Sequence, residues 1–141
     1  MKIIIEEPAE GEEEQIIVKC RSIRPEIMNL LATIKAQGAK LTAYLNGEIY
    51  RIEPSDVFYI ETVDNRVFFY CKTAVYESKQ KLYELEGNDF FRISKSVILN
   101  LGKIKSLRPS LSGRLEAVLQ NDEIVTISRQ YVSELKKLLG I

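Results

Sequence analysis

The stretch LTAYLNGEIYRI, residues 41–52, and the stretch VFYIETVDNRVFFYC, residues 57–71, decide the architecture of this chain. Each is a run of apolar, β-branched and aromatic residues broken once near its middle, by Asn46-Gly47 in the first and by Asp64-Asn65 in the second. Asn-Gly suits the left-handed backbone of a two-residue type I′ turn, whose twist matches that of two antiparallel strands, and Asp-Asn reads as a second turn. Four strands are therefore expected, over 41–45, 48–52, 57–62 and 66–71, joined as two hairpins.

Downstream the same texture continues. Ala74–Glu77, Phe90–Ile93, Val97–Leu99, Ile104–Leu107, Leu115–Leu119 and Ile124–Ile127 read as further short strands, the last two turning at Asn121-Asp122. A brief helix is expected over Lys79–Glu86, with Ser78 as its N-cap and Gly87 as its stop. Tyr131, Leu135, Leu138 and Leu139 are spaced for a closing helix that starts behind Ser128 and ends at Gly140. Turns every eight to twelve residues or so point to an antiparallel core, not to a parallel doubly wound sheet.

Upstream, Met1–Glu6 (Ile3, Ile4, Ile5) and Gln15–Cys20 (Ile16, Ile17, Val18) read as two short strands around an acidic loop, Glu10–Glu14. Ile27, Leu30, Leu31 and Ile34 then follow the i, i+3, i+4, i+7 spacing of an amphipathic helix. Pro25 and Glu26 suit its first turn and Gly38 its end. The chain divides into a β-β-α extension, residues 1–40, and a mainly β domain, residues 41–141; the fold class is α+β with antiparallel sheet. The apolar face of the extension is either a dimer contact or a cover for the domain core.

Of 141 residues, 45% are hydrophobic and 28% charged, a balance that supports a buried core and excludes disorder. No apolar run approaches the ~20 residues of a membrane span. Met1–Pro8 lacks a basic segment followed by a long apolar one, so a cytoplasmic location is expected. Cys20 and Cys71 show no metal-ligand spacing and are expected as reduced thiols, with a disulfide as the alternative. The chain has no histidine, which excludes Ser-His-Asp and Cys-His catalysis and removes the commonest metal ligand. Neither GxGxxG nor GxxxxGK[ST] occurs, and Glu61 and Asp64 flank a solvated turn. No enzyme activity and no cofactor are expected.

A zero net charge conceals a gradient. Residues 1–40 carry six basic and seven acidic side chains, residues 41–91 five and nine, and residues 92–141 nine and four, a net +5. Phosphate binding responds to the local face, not to the total. Polar and basic residues gather at three element ends: Asp64-Asn65-Arg66, Arg92-Ile93-Ser94-Lys95-Ser96 and Ile127-Ser128-Arg129-Gln130. Each has a structural explanation, as a turn, a half-buried strand and a helix cap. Together they present groups that read bases or hold phosphates, since Arg and Lys donate to guanine O6 and N7 and Asn pairs with adenine. The segment Lys103, Lys105, Arg108 and Arg114 is either a phosphate track or a solvated face.

These segments resemble the LytTR family of bacterial DNA-binding domains. The resemblance covers about residues 42–141. It is carried by Val57-Phe58-Tyr59-Ile60-Glu61 with Asp64-Asn65-Arg66-Val67, by Leu82-Tyr83-Glu84-Leu85-Glu86 before Phe90-Phe91-Arg92-Ile93-Ser94-Lys95-Ser96, and by Val97-Ile98-Leu99-Asn100-Leu101. It continues through Ser112-Gly113-Arg114 to Ile127-Ser128-Arg129-Gln130-Tyr131 and Leu135-Lys136-Lys137-Leu138. It implies an elongated, mostly antiparallel β fold whose loops enter successive major grooves. Base contacts would then fall to Asn65 or Arg66, to Lys95 and to Arg129. Arg92, Ser94, Ser96 and Asn100 would support them or touch phosphate, with a structural turn as the other reading of Asn100. About forty residues precede the match, too few for a receiver domain, so the resemblance is to short, free-standing regulators. It further implies double-stranded DNA with repeated half-sites as partner and a homodimer as the bound form. The rival expectation is a protein-interaction or ligand-sensing module, which salt-dependent retention on heparin would separate from a DNA binder.

Overall fold

The computed structural model describes residues 2–37 and 40–141, with no side-chain description for 35–37. Its elements are α1 (Pro25–Gln37), β1 (Leu41–Leu45), β2 (Glu48–Ile52), β3 (Val57–Val63), β4 (Arg66–Cys71), β5 (Val75–Ser78), α2 (Leu82–Leu85), β6 (Phe90–Arg92), β7 (Val97–Asn100), β8 (Ile104–Pro109), β9 (Leu115–Leu119), β10 (Ile124–Ile127) and α3 (Arg129–Leu139). The strands form two antiparallel sheets, one of order β2-β1-β5-β4-β3-β7-β6 and one of order β10-β9-β8. Asn46 and Gly47, and likewise Asp64 and Asn65, have positive φ, as type I′ turns require.

The second sheet gives the domain two cores. Strand side chains alternate between faces. On β7, Ile98 enters a core with Val57, Ile60 and Phe69, while Leu99 enters one with Phe58, Leu119, Ile127 and Leu135. Strands β3 and β7 are thus covered on both faces and form a rigid centre, and the loops that leave them inherit that rigidity. A one-turn helix such as α2 has no stability of its own; its buried Leu82 and Leu85 hold it on the first core. The second core is closed by α3, through Leu135 with Tyr131 and Val132 beside it.

Two expectations change. Residues 2–20, expected to hold two strands, carry none: the segments flank a turn at Glu10–Gly11 but pair with no strand. Glu6 and Glu7 on one side of that turn and Glu12, Glu13 and Glu14 on the other would repel across such a hairpin. The helix expected over 79–86 shrinks to Leu82–Leu85 because Ser78 is drawn into β5 opposite Val67 and buried. Its hydroxyl accepts from the Gln80 amide. Helix α1 forms as expected; the proposed stop at Gly38 lies outside the described residues, as does Met1. Cys20 and Cys71 are both free thiols, and burial, with Asp56 nearby, pushes Cys71 up to about 11.

Candidate nucleic-acid interface

Three loops meet at one pole of the domain. The β3–β4 turn lies next to the loop before β7 because Glu61 pairs with Val97 and the Thr62 amide donates to the Ser96 carbonyl at 2.8 Å. The start of α3 joins them because the Ser128 amide donates to the Ile93 carbonyl at 2.8 Å. Asn65, Lys95 and Arg129, separated in sequence, therefore occupy neighbouring loops, and all three are exposed.

Each loop is held by its own hydrogen bonds. In the first, Asp64 and Asn65 occupy the left-handed region, with φ of 50° and 62°. Arg66 turns away from the tip. Its Nε and Nη2 donate to both carboxylate oxygens of Glu77 at 3.0 and 2.7 Å, and its guanidinium lies 5.3 Å from the Phe68 ring centroid. That fork holds the Glu77 carboxyl below its usual range. In the second loop, Ile93 and Ser94 donate to the Val97 carbonyl and the Ser94 hydroxyl accepts from the Ser96 amide, which leaves Lys95 at the apex. Arg92 spans the base of this loop: it pairs with Glu86 and donates from Nη1 to the Lys95 carbonyl at 2.8 Å. In the third, the Ser128 side chain makes no cap bond, so the first turn of α3 keeps free amide donors beside Arg129.

Asn100 does not reach this pole. It sits at the opposite end of β7, 5% exposed, with Nδ2 donating to the Val57 and Pro54 carbonyls and Oδ1 accepting from the Gly102 amide. Its amide is spent inside the fold, which corrects its inclusion among the contact residues and favours the structural-turn reading. The basic track also dissolves. Lys105 pairs with Asp122, Arg108 pairs with Glu116, and Lys103 lies over the Phe58 ring at the far pole. Only Arg114 joins the loop face, beside the turn Leu111–Gly113.

That turn is a fourth part of the pole that reading by residue type missed. Ser112 and Gly113 both have positive φ, and a Cβ at Gly113 would stand 3.3 Å from Arg129 Cδ. The glycine thus gives the Arg129 stem a bed to lie on. A Ser-Gly pair is a turn signal, but nothing in its local pattern says which side chain will cover it. Among the described residues, Lys95, Arg114 and Arg129 make no ion pair, whereas Arg66, Arg92, Lys105 and Arg108 each do. The pole carries cations without internal partners, the electrostatic condition for binding an anionic polymer.

Known proteins place this geometry. The LytTr DNA-binding domain family matches residues 47–140, a span that contains all four loops. An uncharacterized HTH-type transcriptional regulator of Staphylococcus aureus is 32% identical over 104 residues, covering 72% of this chain and 71% of the relative. The sensory transduction protein LytT of Enterococcus faecalis is 29% identical over 97 residues, and that of Bacillus subtilis 25% over 132. The matches span 40% and 55% of the length of those two LytT proteins. A solved LytTr DNA-binding domain from Bacillus cereus superposes with a TM-score of 0.67 at 26% identity, covering 73% of this chain and 98% of that one.

Proposed function

This chain belongs to the LytTR family of DNA-binding domains, and from that premise we propose that it is a transcription regulator whose loop-bearing pole reads duplex DNA. The observation that carries the reading is the cluster of exposed, unpaired Lys95, Arg114 and Arg129 beside the Asn65 tip, on a scaffold too rigid to collapse around them. Lys95 and Arg129 donate to base edges, as long cationic side chains do with guanine O6 and N7. At the first loop we assign the base contact to Asn65, because Arg66 is held by Glu77. Arg114, Ser94, Ser96 and the free amides at the start of α3 serve the phosphates, which position the protein without reading sequence. The protein acts in the cytoplasm by binding alone, with no catalytic step, and as a homodimer on repeated half-sites. Among the described residues, no helix is long and apolar enough to cross a membrane.

Selection from random duplex DNA with the full chain tests this reading. A repeated consensus should emerge, and affinity for it should fall with salt along a log–log slope of roughly −4 to −5, for about four to six phosphate contacts. An unenriched pool, or affinity indifferent to salt, would instead support the interaction-module reading.

Arg92 is assigned a positioning role, since it holds the loop beneath Lys95 from the inside. Arg92→Ala should weaken binding to the preferred site about fivefold, the equivalent of roughly 1 kcal/mol for one lost hydrogen bond. Glu86→Gln separates positioning from direct contact. If Arg92 positions the loop, removing its anchor weakens binding; if Arg92 touches phosphate, removing a nearby negative charge strengthens it. Titrations of both variants on one duplex decide between the two.

A further inference from the structure

Residues 2–34 stand apart from both cores: among the described residues, no side chain before Leu41 belongs to either. Yet Ile3, Ile4, Ile5, Ile16 and Ile17 are 65–93% exposed. The two arms, 2–8 and 13–20, run from a turn closed by the Glu12 amide donating to the Ala9 carbonyl at 3.0 Å. Among the described residues, neither arm makes a backbone hydrogen bond beyond that turn. Both arms, with Ile27, Leu30 and Ile34 of α1, line one open apolar groove of about 1240 Å³. Each arm carries three consecutive apolar residues, so whichever face meets α1, apolar side chains also point the other way. One helix covers one face, and the other needs a cover that this chain does not contain within the described residues.

The charges say what that cover is. Acidic residues crowd the tip, at Glu6, Glu7, Glu10, Glu12, Glu13 and Glu14, while Lys19, Arg21 and Arg24 lie at the base. Within one hairpin the two blocks sit at opposite ends and cannot neutralise each other. A second copy laid antiparallel brings the base of each against the tip of the other. We propose that two copies of the chain associate through residues 2–34, arm to arm and antiparallel, with Ile17 facing Ile17 of the partner subunit. That register sets Ile16 against Val18 of the partner subunit and Arg21 against Glu13 of the partner subunit. It satisfies the unpaired backbone groups of the arms by β-pairing. The segment is of the size a standard interface takes, about 20–30 residues a side. This surface rests on the homodimer reading above and gives that dimer its contact.

The test uses the full chain without DNA, so that it stands apart from DNA binding. Sedimentation at tens of micromolar should give twice the chain mass. Ile17→Glu should give a monomer, with the unfolding transition of the β domain unmoved, because these residues lie outside its cores. Glu13→Arg alone and Arg21→Glu alone should each raise the dimer dissociation constant about tenfold, and the combined exchange should restore it to within about threefold. In a background of Cys20→Ser and Cys71→Ser, Ile17→Cys should form a covalent dimer on oxidation, since facing Cα atoms across antiparallel strands stand about 4.5–5.5 Å apart, within disulfide reach. A monomeric wild-type chain overturns both this surface and the homodimer. A dimer that survives Ile17→Glu keeps the homodimer and overturns this surface. Failure of Ile17→Cys to cross-link, or of the charge exchange to rescue, overturns the antiparallel register.

Discussion

Replacing Phe69 by Ala is expected to cost the domain about 3–5 kcal/mol of unfolding free energy, the cost of truncating a fully buried aromatic. Phe69 is 0% exposed on β4 and packs with Ile60, Ile98, Val67 and the α2 leucines. The hole left behind cannot refill cheaply, because β3 and β7 are fixed from their other faces by the second core. Small domains hold about 5–15 kcal/mol in total, so the variant should sit near its unfolding threshold at 37 °C and lose DNA binding through unfolding. The neighbouring Phe68, half-buried on the opposite side of the strand with the Arg66 guanidinium over its ring, is the control. Phe68→Ala should cost no more than about 1–1.5 kcal/mol. Urea titrations of both variants measure the difference. Equal losses would mean that the two faces of β4 are not the buried and open faces described.

Much of this was legible in the sequence, for identifiable reasons. The first two hairpins were readable because Asn46-Gly47 and Asp64-Asn65 fix turn type and register together, and β1, β2 and β4 begin and end where alternation places them. The closing helix was readable from its spacing and from Gly140, which takes the left-handed C-cap. What failed depended on partners distant in sequence. Ser78 reads locally as a helix cap, yet pairing with β4 makes it the buried end of a strand. Ile3–Ile5 and Ile16–Val18 have strand composition, but composition does not supply the edge they need. The division into two sheets leaves no periodic signal at all.

The site divides the same way. Residue type marked three polar segments, the family resemblance implied Asn65 or Arg66, Lys95 and Arg129 within them, and the structure gathers those loops at one pole. Residue type could not say which arginines were free. Arg66 and Arg92 are occupied by Glu77 and Glu86, and Asn100 is buried. Nor could it find the bed under Arg129, because Gly113 is sixteen residues away and meets it only through the packing of α3. Charge counting suggested a track along β8 that the paired Lys105 and Arg108 do not form.

On the proposed reading, exposed side chains in separate loops read separate bases. Lys95→Ala and Arg129→Ala should each lose about 1–3 kcal/mol on the preferred duplex and relax preference at different base positions, and the double variant should lose about the sum. Neither should disturb folding by more than about 0.5 kcal/mol, since both side chains are exposed and free of ion pairs. Lys105→Ala, paired with Asp122 away from the pole, should leave binding unchanged. The deciding measurement is a titration of wild type and the three variants on the preferred duplex, its single-base variants and a scrambled duplex. Lys95→Ala and Arg129→Ala should flatten discrimination at distinct positions while affinity for scrambled DNA changes little. If Arg129→Ala instead lowers all the affinities by one factor, it is a phosphate clamp; if neither variant changes any of them, DNA does not bind at this pole.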